Sequence, residues 1–575
     1  MPGTFGELFD KKSRGIEVPS YQRAYSWGKK QIQQFINDLT EVQGGYYLGH
    51  FLFERNGETN LFVIDGQQRI TTCIIFFSVL HTELNRRKEN GEKVGISIQD
   101  IQDYYLRDIL RGTQKFWTVP DDNNYFQEII IDRRRVPTTV CDSLSKERIS
   151  TAKKLFEEFV STCATPELEK AYTLIEKAAV TENVITGKVR SAQIFAFQND
   201  RGKKLTNLEV LKAYLMLQVY VSSSSEEKAT EDIKYIESNF AIIYKQLGKI
   251  ESLEEDEVLL YLWRAIGPKG LYSEDTVAEI KKEIMDSEDR IKWIKDFSGG
   301  IARAFQFVEK VESSSDQWVC NLHFLNNMAL SWPFLLRANH FGMQPADLSR
   351  LAHLLENITF RSLIRGGKAD IQSRLNSVIG ILQGPETVEK FIEKVKNNIT
   401  YDGWWSFWAD AEMLSWLNGH MYQNRVDNYL LWQYELYIAN PNHPLPHRVT
   451  FQDLIKKESI EHIAPQTPTN GEPLANGYGK YEDTDNPDSG IVSGGWLNCI
   501  GNLMLISQSH NSSIGNDSFQ EKLLSYGRDN LLNQQKEISE FIADSTNPFW
   551  DIDAIKRRKD KIVNAAKEIW DIEKI

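Results

Sequence analysis

Apolar residues at Ile32, Phe35, Ile36, Leu39 and Val42 recur at the spacing of one helical face, so residues 29–43 read as an amphipathic helix. The pattern then changes. YYLGHFLFE and TNLFVID are apolar and aromatic, with Arg55-Asn56-Gly57-Glu58 between them. Asn-Gly accepts positive φ at both central turn positions, so the two runs predict a β-hairpin. The second strand leads into Asp65-Gly66-Gln67-Gln68-Arg69 and then ITTCIIFFSVL. That last run is apolar nearly all round and reads as a buried helix.

From about residue 90 to 440 the pattern is mostly helical. Segments 151–180, 205–221, 225–246 and 255–266 keep a 3.6-residue apolar period, broken by Ser222–Ser225 and Gly267-Pro268. Thr206 and Glu209 form a capping box that starts a helix with Leu208, Leu211, Leu215 and Val219 inward. The polar turn Asn199-Asp200-Arg201-Gly202 stands just before it. Near 440–450, PNHPLPHRV reads as a linker. Beyond it come a strand at 459–463, a loop rich in Gly, Asn, Asp and Pro, and a second strand at 501–506. The polar loop SQSHNSSIGND, a helix from Phe519 and an amphipathic closing helix within 535–575 complete the chain.

The expected fold is therefore α+β and predominantly helical. Residues 1–222 form an α/β domain with a helical insertion at 86–190. Residues 223–440 form a helical coupling domain, and 441–575 a C-terminal domain with the closing helix. Composition narrows the classes. Of 575 residues, 41% are hydrophobic and 26% charged, which excludes a disordered chain. Acids outnumber bases by 80 to 67, a net charge of −13 that excludes a globally basic nucleic-acid coat but not a local basic cleft. The cysteines (Cys73, Cys141, Cys163, Cys320, Cys499) form no CxxC pair. That argues against a cysteine zinc site and fits a reducing, cytoplasmic setting. No apolar run is long enough to span a bilayer, so no membrane partner is expected. A Walker A pattern is missing, so nucleotide chemistry of the P-loop kind is not expected.

Two motifs carry candidate chemistry. In the first, a strand, Asp65-Gly66-Gln67-Gln68-Arg69 and a helix place a glycine at a helix N-terminus, where free N–H groups and the helix dipole favour phosphate. Arg69 adds a fork of donors. Asp65 suits a metal-bound water or ribose hydroxyls, and Gln67 and Gln68 suit orienting a water or a base. Upstream, Tyr21, Gln22 and Arg23 lie in an aromatic segment suited to stacking beside phosphate. Asn199 and Arg201 form a third polar turn. Taken alone, the DGQQR segment reads as well as a common turn, the aromatic segment reads better as a cluster packed on the first helix, and the Asn199/Arg201 turn reads as a helix cap. In the second motif, Glu461 and His462 stand on the first C-terminal strand, Asn502 on the next, and Asn511 in the following loop. Glu461 and Asn511 can give oxygens to a hard cation, and His462 can deprotonate water near neutral pH. Asn502 can hold the loop or the imidazole. Neighbouring strand residues face opposite ways, so Glu461 and His462 need a twist or the strand's end to share one site.

Taken together, IEVPSYQRAYSW, YYLGHFLF, VIDGQQRITT and FAFQNDRGKKLTNLEVLKAYL resemble, in order, the N-terminal domain of GmrSD-type restriction proteins. That domain is similar to the ParB/sulfiredoxin fold, and the likeness covers about residues 5–85 and 190–220. It implies that Asp65, Gly66, Gln67, Gln68 and Arg69 line a nucleotide or modified-DNA pocket, completed by Tyr21, Gln22, Arg23, Asn199 and Arg201. The segment EHIAP, GNLMLIS, the Asn511 loop and a helix with Lys522 resemble the C-terminal HNH, or His-Me finger (ββα-metal), domain of the same proteins. By that resemblance His462 is the general base, Glu461 and Asn511 are metal ligands, Asn502 is structural, and Lys522 touches phosphate. His510 is an alternative ligand to Asn511. The implied protein is a nucleotide-regulated endonuclease with NTPase activity, using Mg²⁺ or Mn²⁺ and a nucleoside triphosphate, GTP favoured. It would cut modified double-stranded DNA against phage, and a homo-oligomer stays open. The alternative is an NTPase or modification sensor with an inactive finger that recruits a partner. A sulfiredoxin-like redox enzyme would need a reactive Cys73.

Overall fold

The computed structural model describes residues 2–9, 15–42, 44–57, 60–107, 112–185, 206–366, 370–439, 458–466, 477–478, 494–528 and 532–575. The fold is α+β and predominantly helical, as expected. It divides into two compact units. One comprises Met1–Trp263 with Ser273–Ser313, the other Arg264–Tyr272 with Ser314–Ile575. The residues expected as one coupling block, 223–440, are thus shared between the units. Among the described residues no helix is long and apolar enough to cross a membrane.

The first unit is built on a six-stranded mixed sheet. Its strands are β1 (Pro2–Thr4), β2 (Ile16–Glu17), β3 (Tyr47–Asn56), β4 (Asn60–Asp65), β5 (Phe116–Trp117) and β6 (Ala179–Ile185), in the order β1-β6-β3-β4-β2-β5. The expected hairpin is β3–β4, with Asn56 opposite Asn60. Helices α1 (Phe5–Phe9), α2 (Lys29–Glu41) and α3 (Gln67–Glu89) join it in one core. Helix α3 is buried from Ile70 to Leu80, as its all-round apolar pattern requires.

Residues 86–190 are more than a helical insertion. They supply β5 at one edge and β6 beside the centre, where β6 runs parallel to β3 and antiparallel to β1. The sequence of β6, AVTENVI, buries only Val180 and Ile185 fully, so it lacks the alternating stripe of a half-buried strand. The helix Asn207–Ser222 starts at Thr206, whose side chain accepts from the amide of Glu209. Asn199, Arg201 and the rest of the preceding turn lie outside the described residues, as does the Pro-rich linker.

The second unit contains an antiparallel pair, β7 (Glu458–His462) and β8 (Leu503–Ser507), with Glu461 opposite Met504 and His462 opposite Leu503. The segment expected as a polar loop is instead a helix, Gln508–Ile514, so Asn511 is helical. Ser507 makes the difference, since its side chain accepts from the His510 amide as an N-cap. The expected closing helix is broken. A short helix, Asn533–Lys536, and a 3₁₀ turn, Glu537–Phe541, precede the long helix Ile552–Ile569.

Candidate functional site

In the first unit the DGQQR segment sits where β4 passes into α3. Gly66 has φ +96°, and a Cβ there would run into the Phe51 ring, so this turn needs glycine. The side chains of the motif mainly brace it. Arg69 donates from Nη1 to Leu48 O at 2.7 Å and from Nη2 to His50 O at 2.8 Å. Its guanidinium lies 4.7 Å from the Phe51 ring centre and 3.6 Å from Asp65 Oδ2. The fork expected for phosphate is therefore committed to the β3 backbone, beside the register shift at Gly49.

Both glutamines reach across to the aromatic segment. Gln67 Nε2 donates to Arg23 O at 3.1 Å, and Gln68 Nε2 to Ala24 O at 3.1 Å. Gln68 Oε1 accepts from the Ser26 amide at 2.8 Å. They orient the protein's own backbone in the positions where a water or base was expected. Tyr21 and Gln22 are buried, so neither ring nor amide is presented to solvent as a stacking platform. Arg23 keeps a partly exposed guanidinium, and its Nη1 donates to Glu255 Oε1 at 3.2 Å.

The structure adds two residues to this site. Lys212 is buried on the inner face of the helix Asn207–Ser222, donates to Tyr21 O at 2.5 Å, and lies 5.0–5.6 Å from the rings of Tyr21, Phe240 and Tyr244. Burial lowers its pKa to about 8 against the pull of Glu209 and Glu237. Glu255 is the second. A signal for Lys212 was present, since it follows Leu208 by one helical turn within the apolar stripe. Nothing in the sequence singles out Glu255 from its acidic neighbours. Cys73 is fully buried and burial pushes its thiol up, which leaves no reactive thiol for redox chemistry there.

In the second unit the pleat separates Glu461 from His462. Glu461 is buried, and its Oε1 accepts from Lys522 Nζ at 2.5 Å and Tyr526 OH at 2.8 Å. Burial pushes its carboxyl up while Lys522 pulls it down. Lys522 is buried too, pairing with Glu461 and donating to His462 O at 3.3 Å, so its ammonium is turned into the fold. Asn502 is fully buried and its amide is spent on structure. Oδ1 accepts from the Ala464 amide and Trp550 Nε1, and Nδ2 donates to Ala464 O and Leu497 O. Through these four hydrogen bonds it fixes the strand ends.

His462 faces the other way. Its Nε2 lies 3.1 Å from Asn498 Oδ1, and the Tyr422 ring meets the imidazole edge-on at 4.4 Å. The exposed Gln466 amide lies 3.3 Å from the same nitrogen. Asn498 is itself anchored, because its carbonyl accepts from the amides of Met421 and Tyr422. The Asn498 amide oxygen accepts and so calls for Nε2–H, whereas the Gln466 amide nitrogen donates and calls for a bare Nε2, so the two partners compete for the tautomer. Burial lowers the His462 pKa, opposed by the Asn498 hydrogen bond, which favours a neutral imidazole able to take a proton. Sequence reasoning missed Asn498, which precedes the recognisable GNL segment.

The helix bearing Asn511 packs on both strands. Its neighbour His510 turns toward Ser525 Oγ at 2.7 Å and Gln535 Nε2 at 3.4 Å, so it is engaged within the fold. Among the described residues no three His, Cys, Asp or Glu side chains converge as a cation site. The donors expected for a cation, the Glu461 carboxylate and the Asn511 amide, are hard oxygens of the kind Mg²⁺ or Mn²⁺ takes. At Glu461 such an ion has one competitor already seated, the Lys522 ammonium.

Residues 5–216 match the family model for the GmrSD restriction endonuclease N-terminal domain. Residues 409–565 match that for the GmrSD restriction endonuclease C-terminal domain. Together the two matches cover well over half of the chain. A search of curated proteins found no match.

Proposed function

The chain belongs to the GmrSD restriction endonucleases, and from that premise we propose that it is a nucleotide-regulated, divalent-metal-dependent nuclease that cuts modified DNA. Cleavage belongs to the second unit, with the free ring nitrogen of a neutral His462 taking the proton from the attacking water. One observation carries this reading: a buried, neutral-leaning imidazole held by Asn498 on a strand pair in the matched C-terminal domain. Mg²⁺ or Mn²⁺ would be held by Glu461 and Asn511, which requires Lys522 to give up its place on the carboxylate and the end of β7 to turn Glu461 onto the face of His462. Such an ion supplies Lewis-acid stabilisation of the phosphate's developing charge when bound. Asn498 and Tyr422 orient the imidazole, and Asn502 keeps the strand ends in register.

Nucleotide binding and hydrolysis belong to the first unit, with GTP as the favoured triphosphate. Arg23 is the anion-facing residue of the motif, since Arg69, Gln67 and Gln68 are mostly occupied in shaping the loop that presents it. The excess of acids over bases leaves DNA gripped in local clefts, which keeps non-specific binding weak at physiological salt. A second reading, a sensor that recruits a partner and does not cut, has one observation on its side: the ammonium of Lys522 already neutralises Glu461. A cleavage assay on modified and plain DNA, with GTP and Mg²⁺ or Mn²⁺, separates the two. Cutting of modified DNA by the parent, lost in His462→Ala, supports the nuclease. No cutting under any combination supports the sensor.

A further inference from the structure

Arg23 is held from two sides by groups that each keep an unused acceptor. Glu255, the first residue of the helix Glu255–Ile266, is 2% exposed. Its Oε1 accepts from Arg23 Nη1, while Oε2 has no partner at full hydrogen-bond geometry among the described residues, although the Thr206 side chain is near enough to pull the carboxyl's pKa down. Gln67 donates to Arg23 O, while its own buried Oε1 likewise has no such partner there. A buried acceptor without a donor is costly and wants a reason.

The neighbouring carboxylates are committed. Asp256 accepts from the amides of Asn207 and Leu208 at 3.0 and 3.1 Å, and Glu209 accepts from the amide of Thr206 at 3.1 Å. Both serve the start of the helix Asn207–Ser222. Glu255 is thus the acid with capacity to spare, and burial pushes its carboxyl up against the pull of Arg23. Arg148 stands close enough for the Arg23 charge to lower its pKa, in addition to burial. Glu254 and Glu147 face Arg148 from the other side of the balance. Arg23 itself is 25% exposed, so an anion can approach it from solvent while Glu255 holds it from within.

We propose that Glu255 is a built-in counter-ion that occupies Arg23 in the empty protein and is exchanged for the polyphosphate of a nucleoside triphosphate. The proposal rests on the nucleotide-binding reading above and adds how that site is held shut. The exchange has a path outward. Releasing Glu255 frees the start of its helix, whose next residue, Asp256, caps the helix Asn207–Ser222. Lys212 on that second helix holds Tyr21 O, two residues before Arg23. Ligand binding at Arg23 is thereby linked to the starts of two helices, Glu255–Ile266 and Asn207–Ser222.

The test is equilibrium binding of GTP, and separately of inorganic tripolyphosphate, to the full chain and its Glu255→Gln and Arg23→Ala variants. Glu255→Gln keeps an oxygen for Arg23 but removes the competing charge. Both probes should then bind about tenfold tighter, the equivalent of one charge-assisted hydrogen bond, and Arg23→Ala should lose them. Tighter binding of GTP but not of tripolyphosphate would overturn the assignment to the polyphosphate. Unchanged or weaker binding in Glu255→Gln, with the parent binding GTP, overturns the counter-ion role alone. If neither parent nor variant binds either probe, the nucleotide reading falls and this proposal with it. Unaltered far-UV circular dichroism and melting temperature in each variant keep a folding defect apart from these outcomes.

Discussion

Replacing Lys522 with Met tests how the C-terminal site is held. Lys522 and Glu461 have 1% and 4% of their side-chain surface exposed, and their atoms meet at 2.5 Å. Removing one partner of such a pair leaves a buried charge and costs about 3–5 kcal/mol. Tyr526 OH still donates to Glu461 Oε1, and the carboxyl, already pushed up by burial, can take a proton. The loss is therefore greatest at alkaline pH and shrinks as the medium becomes acidic. A carboxyl whose folded pKa is raised gives stability that is lost as pH rises through that value. At roughly 2–4 °C per kcal/mol, the second unit should melt at least about 6 °C lower at pH 8. Urea unfolding followed by tryptophan fluorescence reads the same quantity. The double variant Glu461→Gln/Lys522→Met should recover most of the loss, since no charge then remains buried. Millimolar Mg²⁺ should stabilise Lys522→Met more than the parent, because the ammonium no longer competes. A Lys522→Met protein within about 1 kcal/mol of the parent at pH 8 would refute the reasoning.

Other consequences follow from particular contacts. Glu356 is buried, and its Oε1 accepts from Tyr429 OH at 2.7 Å and Trp570 Nε1 at 2.9 Å. Burial pushes this carboxyl from 4.5 up to about 7, so its contribution is full below pH 4.5 and is lost toward pH 7, about 3 kcal/mol in all. Glu356→Gln keeps an oxygen for both donors, and the parent-minus-variant urea stability should show that slope; a flat difference would contradict it. Asn498→Ala should lower DNA cleavage about 10–100-fold, as loss of an imidazole's orienting partner does, with GTP hydrolysis unchanged; equal losses in both activities would point to misfolding. Gly66→Ala forces a side chain into φ +96° and the Phe51 ring. It should destabilise the first unit by at least about 1–2 kcal/mol, read by urea unfolding.

The order of elements was legible where the periodicity was clean. The α2 face and the capping box at Thr206 have local physics that tertiary packing does not override. The β3–β4 hairpin forms where expected, but Asn56 is the last residue of β3 and lacks the positive φ expected of it. Of the Asn-Gly pair only Gly57 takes it, at φ +72°. Strand β6 was not legible, because its exposure is intermediate at most positions and its partner β3 lies far away in sequence. The helix at Asn511 was missed because Ser, Asn and His favour loops and caps, and only the placement of Ser507 converts them. Motifs were legible as residue types but not as roles. Nothing local says that Arg69 will spend its fork on Leu48 and His50, or that Glu461 will meet a lysine 61 residues later. Those partners arrive only through the fold, as do Glu255 at Arg23 and Asn498 at His462.

The central claim is most directly tested by one paired measurement on the parent and His462→Ala. Cleavage of modified DNA and hydrolysis of GTP are followed together in the presence of Mg²⁺ or Mn²⁺. The account predicts that the parent performs both and that His462→Ala hydrolyses GTP but leaves the DNA intact. Cutting by His462→Ala at the parental rate would show that this imidazole is not the base.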